Sequence, residues 1–157
     1  MGLSVHYPKE GVNMTTIAYR DGIMAGDGRE ICIGDDESAV VLTDKGVKVF
    51  KLRDGRLFGG SRGSEDLTRL HQALVKNTPL PKLEDVNGLL VDRKGRIWLY
   101  EGYIWQRIQA RYYAVGSGSV FALGAMDAGA TAIEAVRIGV RRDPYSGGKV
   151  CHVRLPR

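Results

Sequence analysis

The sequence has few cysteines, no long hydrophobic run and no apolar leader. Only 2 of its 157 residues are cysteines, and the wide separation of Cys32 and Cys151 argues against a zinc site or a disulfide framework. No segment approaches the roughly 18 consecutive apolar residues that a membrane-spanning helix requires. The first residues also lack the apolar stretch of a secretory signal peptide. We therefore expect a cytoplasmic protein with no membrane segment, and we expect neither a metal nor another cofactor.

Glycine, in contrast, is abundant, with 21 residues among 157. The glycines fall between well-patterned segments rather than in a low-complexity stretch, which is typical of turns. Three β-hairpins are predicted across such turns, with their strands inside residues 15–25, 46–58 and 89–100. Residues 112–115 and 150–155 predict two further strands. The glycine content therefore indicates many tight turns between short strands.

Helical patterns occur between the strand segments rather than in regular alternation with them. Ser64 can cap a helix with leucines on one face, and residues 119–128 form a second, apolar candidate. A third helix is predicted after Thr131, because Thr131 and Glu134 have the spacing of a capping box. Segregated hairpins and helices indicate an α+β layered domain.

Thr15 is the first candidate for chemistry, and its role depends on where the mature chain begins. If translation starts at Met14, removal of that methionine exposes Thr15 at the N-terminus. One residue then carries a hydroxyl nucleophile and an α-amine with a pKa of about 8, which can serve as the general base. In the chain as written that amine is part of a peptide bond, and a β-branched strand residue is the alternative interpretation.

Several segments from Thr15 onward match one family together and in the same order. The chain resembles the β-type subunits of the proteasome and their bacterial relative HslV, which are N-terminal-nucleophile threonine peptidases. It is similar to a shortened bacterial or phage-type member of that family. The resemblance rests on six segments, which are Thr15-Thr16-Ile17, Ala25-Gly26-Asp27-Gly28-Arg29, Gly46-Val47-Lys48-Val49, Gly59-Gly60, Gly116-Ser117-Gly118-Ser119 and Arg142-Asp143-Pro144-Tyr145-Ser146-Gly147-Gly148.

The resemblance implies which side chains perform the chemistry. It makes Thr15 the nucleophile, Lys48 a buried ammonium beside the Thr15 hydroxyl, and Asp27 the partner of Lys48. A cation near the hydroxyl favours alkoxide character, and a desolvated lysine without a carboxylate partner would lose its charge. From the residues alone, Lys48 fits the surface of an alternating strand equally well, and Asp27 fits a turn.

The resemblance also assigns supporting roles around the nucleophile. Gly59 falls where the family offers a backbone N–H to the oxyanion, although a strand-end turn is the local interpretation. Ser117, Asp143 and Ser146 match the residues that orient the threonine amine as base. On local grounds Ser117 is a linker or a helix cap, and Asp143 ends a helix. Arg29 would support the acidic network.

The same resemblance implies a fold and a domain boundary. The family fold is a four-layer αββα sandwich of the N-terminal-nucleophile hydrolase type. One outer helical layer would be shortened here, because residues 78–86 are too few and too proline-rich for the family's second helix. Residues 15–157 would form the peptidase domain, and residues 1–14 a leader or mis-assigned start that is removed. Met14 stands where self-processing precursors carry glycine, which favours an internal start over autolysis.

The resemblance extends to substrate and partners. Leu57 and Ser61 flank the Gly59-Gly60 segment and would line the pocket for the residue before the scissile bond. The substrate would be a peptide or an unfolded protein, the chain would form a homo-oligomeric ring, and an ATP-dependent unfoldase would serve it.

Two other interpretations are open. In the first, from a different class, the chain is a catalytically silent assembly or binding subunit in which Thr15 is never exposed. In the second, Arg107 and Arg111, which lie among the aromatic residues of the segment 97–113, stack on nucleic-acid bases. Packing in a core or an interface is the commoner reason for such a cluster, so we do not expect nucleic acid as a partner.

Overall fold

The computed structural model describes residues 14–33, 36, 38–60, 65–83, 86–101 and 104–157, and every structural statement refers to these residues. Residues 1–13 of the predicted leader, the helix cap Ser64 and the pocket residue Ser61 lie outside them. The described elements follow in the order β1 (Ile17–Arg20), β2 (Ile23–Gly26), β3 (Glu30–Ile33), β4 (Ala39–Thr43), β5 (Val49–Lys51), β6 (Leu57–Gly60), α1 (Glu65–Lys76), β7 (Asn87–Val91), β8 (Ile97–Glu101), β9 (Ile104–Ile108), β10 (Tyr112–Val115), α2 (Ser119–Asp127), α3 (Ala132–Arg142) and β11 (Cys151–Arg154).

The first hairpin forms because its turn has suitable residues. Asp21 and Gly22 adopt φ angles of 50° and 83°, the left-handed conformation of a two-residue type I′ turn. The strands β1 and β2 then pair in antiparallel fashion as far as Ile17 and Gly26. The other two predicted hairpins, β5 with β6 and β7 with β8, are also confirmed, as are the strands β10 and β11.

The strands form three antiparallel sheets. One sheet has four strands in the order β10-β1-β2-β11, and another has five in the order β5-β6-β7-β8-β9. Among the described residues, the strands β3 and β4 pair only with each other. Because β3 follows the loop after β2, the chain enters this ribbon from the end of the four-stranded sheet where β1 begins.

The apolar core consists of three clusters. The first contains Ile17 and Met24 from the four-stranded sheet and Leu57, Leu89 and Ile97 from the five-stranded sheet, each with no exposed surface. A second cluster packs α1 on the five-stranded sheet, and a third packs α2 and α3 on the four-stranded sheet. Burial of these side chains is the main favourable term in folding, at roughly 1.5–3 kcal/mol for each large side chain.

The expected four-layer αββα sandwich with one outer helical layer shortened is wrong. The described residues form 11 strands in three antiparallel sheets, with three small helices of 12, 9 and 11 residues. A lone helix, α1, does not make a layer over five strands, and the β3–β4 ribbon belongs to neither large sheet. The sequence interpretation assigned no strand to β3, β4 or β9, and it therefore underestimated the β content.

The helix α3 begins where local chemistry predicts. The Thr131 side chain accepts from the Glu134 amide and the Glu134 side chain accepts from the Thr131 amide, so the capping box of α3 is confirmed. The described residues between α1 and β7 contain no further helix, as Pro79 and Pro81 predict. None of the described helices is long and apolar enough to cross a membrane.

Candidate active site

The start of β1 meets the segment that follows β2 and the segment that precedes β5. Thr15 and Thr16 precede β1, and Asp27 follows β2, so the antiparallel pairing of Ile17 with Gly26 brings them together. The Asp27 amide donates to the Thr16 carbonyl oxygen at 3.1 Å. Lys48, which precedes β5, also reaches this point. All four side chains are buried, with at most 1% of each residue exposed.

Lys48 makes an ion pair with Asp27 inside the protein. Its Nζ lies 3.0 Å from Asp27 Oδ1, and it also donates to the carbonyl oxygens of Met14 at 3.2 Å and Arg29 at 2.5 Å. These acceptors satisfy the three donors of an ammonium group. Burial lowers the pKa of Lys48 below its ordinary 10.5, and the Asp27 charge opposes that effect. The sequence interpretation of Lys48 as a surface residue is therefore excluded.

Asp27 collects hydrogen bonds on both carboxylate oxygens. In addition to Lys48, Oδ1 accepts from the Thr15 hydroxyl at 2.8 Å and from the Thr16 amide at 3.0 Å. Oδ2 accepts from the Gly147 amide at 3.0 Å and from the Arg29 amide at 3.4 Å. Buried charges require such compensation, because each loses its hydration. Asp27 therefore fixes the Thr15 hydroxyl and the Lys48 ammonium on a single oxygen atom.

The backbone nitrogen of Thr15 faces a second set of polar groups. It donates to Ser117 Oγ at 3.2 Å, and Ser117 Oγ donates in turn to Asp143 Oδ2 at 2.6 Å. Ser146 Oγ donates to the same Asp143 oxygen. The Gly118 amide donates to the Thr15 carbonyl oxygen at 3.1 Å, which holds the start of β1 against the start of α2.

Arg29 lies beside this network and does not contact Thr15 through its side chain. The guanidinium makes two hydrogen bonds to Asp44, from Nε at 2.8 Å and from Nη2 at 3.2 Å. It also lies against Gly147, where a Cβ would be 2.4 Å from Arg29 Cζ. Arg29 thereby fixes the loop whose Gly147 amide bonds to Asp27, and its own carbonyl oxygen bonds to Lys48.

Gly59 and Leu57 lie in β6, away from the polar network. Leu57 has no exposed surface and belongs to the core between the sheets, so the structure gives it no surface for a substrate pocket. A Cβ at Gly59 would be 2.8 Å from Met24 Sδ, so the missing side chain leaves room for core packing. The Gly60 amide donates to the Lys48 carbonyl oxygen and therefore points toward the β5 side of β6. Because successive amides along a strand point in opposite directions, the Gly59 amide points toward β7. The oxyanion role of Gly59 stays a prediction.

The sequence interpretation missed Thr16, Gly118 and Gly147. Thr16 follows Thr15 directly, but period-2 alternation alone places it on the opposite face and gives it no role. Its partners Ser146 and Asp27 are 130 and 11 residues away, so only the folded chain reveals them. Gly118 and Gly147 belong to the segments that carry the resemblance, but they contribute through their backbone amides. Every residue except proline has such an amide, so the residue type gave no signal.

The arrangement brings together the groups that a threonine nucleophile needs. A hydroxyl, a lysine with a lowered pKa and a carboxylate lie on one side of Thr15, and two serines with a second carboxylate lie on the side of its nitrogen. No three His, Cys, Asp or Glu side chains come together as a metal-ligand set in the described part of the chain.

Comparisons with known proteins bear on the fold alone. The chain is similar to a solved structure named Thiobacillus denitrificans BPH, with a TM-score of 0.53, 20% sequence identity, and coverage of 90% of this chain and 98% of that chain. In all, 233 chains of solved structures match. No protein-family profile and no curated protein matches the sequence. At 20% identity the likeness supports a shared fold and no particular activity.

Proposed function

We propose that the chain, when it begins at Thr15, is a threonine-type endopeptidase that resembles the proteasome β subunits and HslV. The observation that carries the proposal is that different groups hold the two reactive atoms of Thr15. Its hydroxyl bonds to Asp27, which also holds Lys48, and its nitrogen bonds to Ser117, which also bonds to Asp143. An N-terminal threonine needs this separation, because its hydroxyl must act as nucleophile while its amine acts as base.

In the proposed reaction the free amine of Thr15 takes the hydroxyl proton while Oγ attacks the carbonyl carbon of the substrate. The tetrahedral intermediate then collapses, the C–N bond breaks, and the amine gives its proton to the leaving nitrogen. An ester on Thr15 remains, and water attacks it with the same amine as base. The bond between the acyl carbon and Oγ then breaks, the amine returns its proton to Oγ, and the carboxylic acid product leaves. The positive charge of Lys48 favours the developing alkoxide, and Ser117 with Asp143 orients the amine.

The proposal requires removal of the residues before Thr15. The Thr15 nitrogen donates as a peptide amide, and the carbonyl oxygen of Met14 occupies one donor of Lys48. An internal start at Met14, followed by removal of that methionine, would free both groups at once. All described strands and helices lie between Ile17 and Arg154, so a chain that begins at Thr15 keeps every described element.

A catalytically silent assembly or binding subunit is the second candidate. It is supported by the complete burial of Thr15, whose amine is blocked by Met14 in the chain as written. If residues 1–14 are retained in the cell, the polar network would serve only to hold the start of β1 in place.

Self-association is part of the proposal. Val40, Val41 and Leu42 in β4 are 58%, 48% and 65% exposed, and contiguous exposed apolar residues indicate an interaction surface. A homo-oligomeric ring, a peptide or unfolded-protein substrate, an ATP-dependent unfoldase and a cytoplasmic location come from the resemblance alone. We do not propose nucleic acid, because Arg111 is paired with Asp21 and the Arg107 guanidinium lies over the Trp98 ring.

Chemical labelling of a chain that begins at Thr15 tests the proposal. A peptidyl electrophile that reacts with threonine should add one equivalent by intact mass, and a fluorogenic peptide should be hydrolysed. Thr15→Ala should abolish both, whereas Thr43→Ala, a change in the β3–β4 ribbon, should alter neither. A folded, correctly trimmed chain that shows no adduct and no hydrolysis would support the silent subunit instead.

A further inference from the structure

A second buried hydroxyl adjoins the proposed nucleophile and has no part in the reaction described above. Thr16 has no exposed surface, and its Oγ1 lies 2.8 Å from Ser146 Oγ. Its amide donates to Asp27 Oδ1 at 3.0 Å, and its carbonyl oxygen accepts from the Asp27 amide at 3.1 Å. Thr16 therefore joins the carboxylate that holds Lys48 to the hydroxyl that holds Asp143.

The fit around Thr16 is close on two sides. A Cβ at Gly118 would lie 1.8 Å from Thr16 Oγ1, and a Cβ at Gly139 would lie 2.6 Å from Thr16 Cγ2. Glycine at these positions lets the start of α2 and the middle of α3 pack directly on the threonine side chain. The position of the Thr16 hydroxyl is therefore determined by packing as well as by its hydrogen bond.

The directions of the hydrogen bonds follow from Asp143. A carboxylate only accepts, and Ser117 and Ser146 both donate to Asp143 Oδ2. Each serine then directs its single proton to Asp143, and the Thr15 carbonyl oxygen, at 3.4 Å from Ser117 Oγ, is the more distant acceptor. Each serine oxygen therefore accepts from its remaining N–H or O–H partner. Ser117 accepts from the Thr15 nitrogen, so Ser146 accepts from the Thr16 hydroxyl. Thr15 and Thr16 thus donate into the two ends of one chain of hydrogen bonds that meets at Asp143.

From this arrangement we infer that Thr16 is a positioning residue for the Thr15 amine. The inference rests on the proposed function, because it concerns the amine that would act as base. Neighbouring hydrogen bonds polarise one another, so donation from Thr16 strengthens the bond from Ser146 to Asp143. Asp143 then attracts the Ser117 proton less strongly. Without the Thr16 hydroxyl, Ser117 Oγ becomes a better acceptor and favours the protonated amine.

Three charged side chains belong to the hydrogen-bond network around Thr15, and Glu30 at the start of β3 also acts electrostatically on Lys48. Asp27 follows β2, Lys48 precedes β5, and Asp143 follows α3. A substitution of Thr16 alters none of these charges. A change in the proton affinity of the amine would therefore report on the hydrogen-bond chain itself.

The test compares Thr16→Val, which removes the hydroxyl and keeps the shape, with Thr16→Ser, which keeps the hydroxyl. Thr131→Val is the control, since it removes a hydroxyl that only caps α3. In chains that begin at Thr15, the amine is titrated by ¹⁵N NMR. Thr16→Val should raise the amine pKa and lower kcat about tenfold with little change in KM. Thr16→Ser and Thr131→Val should leave the amine pKa and kcat near the wild-type values.

Ser146→Ala breaks the same chain one bond further along and should also raise the amine pKa. If Thr16→Val does not fold, the amine pKa of Ser146→Ala shows whether this chain of hydrogen bonds controls the amine. An unchanged amine pKa in these folded variants, or a loss in Thr16→Ser as large as in Thr16→Val, would overturn the inference. If the wild-type chain shows no hydrolysis and no labelling, the proposed function fails, and the titration still decides the role of Thr16.

Discussion

Lys48 and Asp27 form a buried ion pair with 3.0 Å between Nζ and Oδ1 and with side-chain exposures of 1% and 0%. Such a pair is poor at stabilising a fold relative to well-packed apolar residues, because both ions lose their hydration. Besides Thr15, four other residues hold the pair in place. Lys48 donates to two backbone carbonyl oxygens, and Asp27 accepts from three backbone amides. A pair that contributes little net stability but is held so firmly is better explained by chemistry at Thr15 than by folding.

Breaking this pair should strongly destabilise the protein. Asp27→Asn leaves the Lys48 ammonium buried without its counter-ion, and loss of one partner of a buried pair costs about 3–5 kcal/mol in the free energy of unfolding. Asp21→Asn is the matched control, because Asp21 pairs with Arg111 at side-chain exposures of 55% and 70% and should lose less than about 1 kcal/mol. Urea denaturation of the full chain measures both. Similar losses in the two variants would contradict the burial of the Lys48–Asp27 pair.

The lowered pKa of Lys48 predicts how its contribution to stability changes with pH. In the unfolded chain Lys48 has its ordinary pKa of 10.5, and burial lowers the pKa in the folded chain. Between the two values the unfolded chain binds a proton that the folded chain lacks, so the free energy of unfolding rises with pH in that window. Below the lowered value both states are protonated, and the contribution is constant.

The measurement is the difference in unfolding free energy between wild type and Lys48→Met as the pH is raised toward 10.5. Titrating groups that do not interact with Lys48 are present in both proteins and cancel in the difference. We expect the difference to move in favour of the wild type with rising pH. A difference that moves toward Lys48→Met would mean that the pKa of Lys48 is raised by Asp27 more than it is lowered by burial.

Local patterns predicted the elements whose determinants lie close together in sequence. The β1–β2 turn depends on Asp21 and Gly22 alone, and the start of α3 depends on Thr131 and Glu134. The strand β4 could not be predicted in this way. Its run of Ala39–Thr43 is apolar, which predicts burial, yet the described chain offers no neighbour except β3 to cover it. Layer architecture also depends on distant pairings, which explains why the αββα expectation failed.

The candidate site was predicted from whole-family segments rather than from periodicity. The structure brings together Thr15, Asp27, Lys48, Ser117, Asp143 and Ser146. Alternation along β5 did not reveal that Lys48 is buried, because the Asp27 carboxylate that compensates its charge comes from another strand pair. The role of Thr16 was not predicted for the same reason, since its partner Ser146 lies 130 residues away.

The exposed face of β4 predicts the effect of charge on self-association. Val40 and Leu42 project from the same face of the strand and are 58% and 65% exposed. Changing both to lysine should dissociate an oligomer that buries this face, because unpaired charges are costly to desolvate. Light scattering with size-exclusion chromatography measures the mass. Val75→Lys on α1, where Val75 is 55% exposed, is the control. A monomeric wild type, or a double variant with the oligomeric mass of the wild type, would show that β4 does not form an interface between copies of the chain.

Two helical glycines predict opposite effects of the same substitution. Alanine is favoured over glycine in a helix interior by about 1 kcal/mol, so the intrinsic effect of either change is stabilising. At Gly124 in α2 a Cβ would meet no atom of the described residues within 4 Å, and Gly124→Ala should therefore raise the free energy of unfolding by up to about 1 kcal/mol. This variant should leave labelling of Thr15 unchanged.

At Gly139 in α3 a Cβ would lie 2.6 Å from Thr16 Cγ2 and 2.8 Å from Thr16 Oγ1. Thr16 cannot yield easily, because both its backbone groups are bonded to Asp27, so α3 must shift away from β1. Overpacking of this kind costs about 1–3 kcal/mol and outweighs the helix propensity. Gly139→Ala should therefore be less stable than wild type in urea, while Gly124→Ala is more stable. If both variants were stabilised equally, α3 would not be packed on Thr16, and the close fit that orients the Thr16 hydroxyl would be absent.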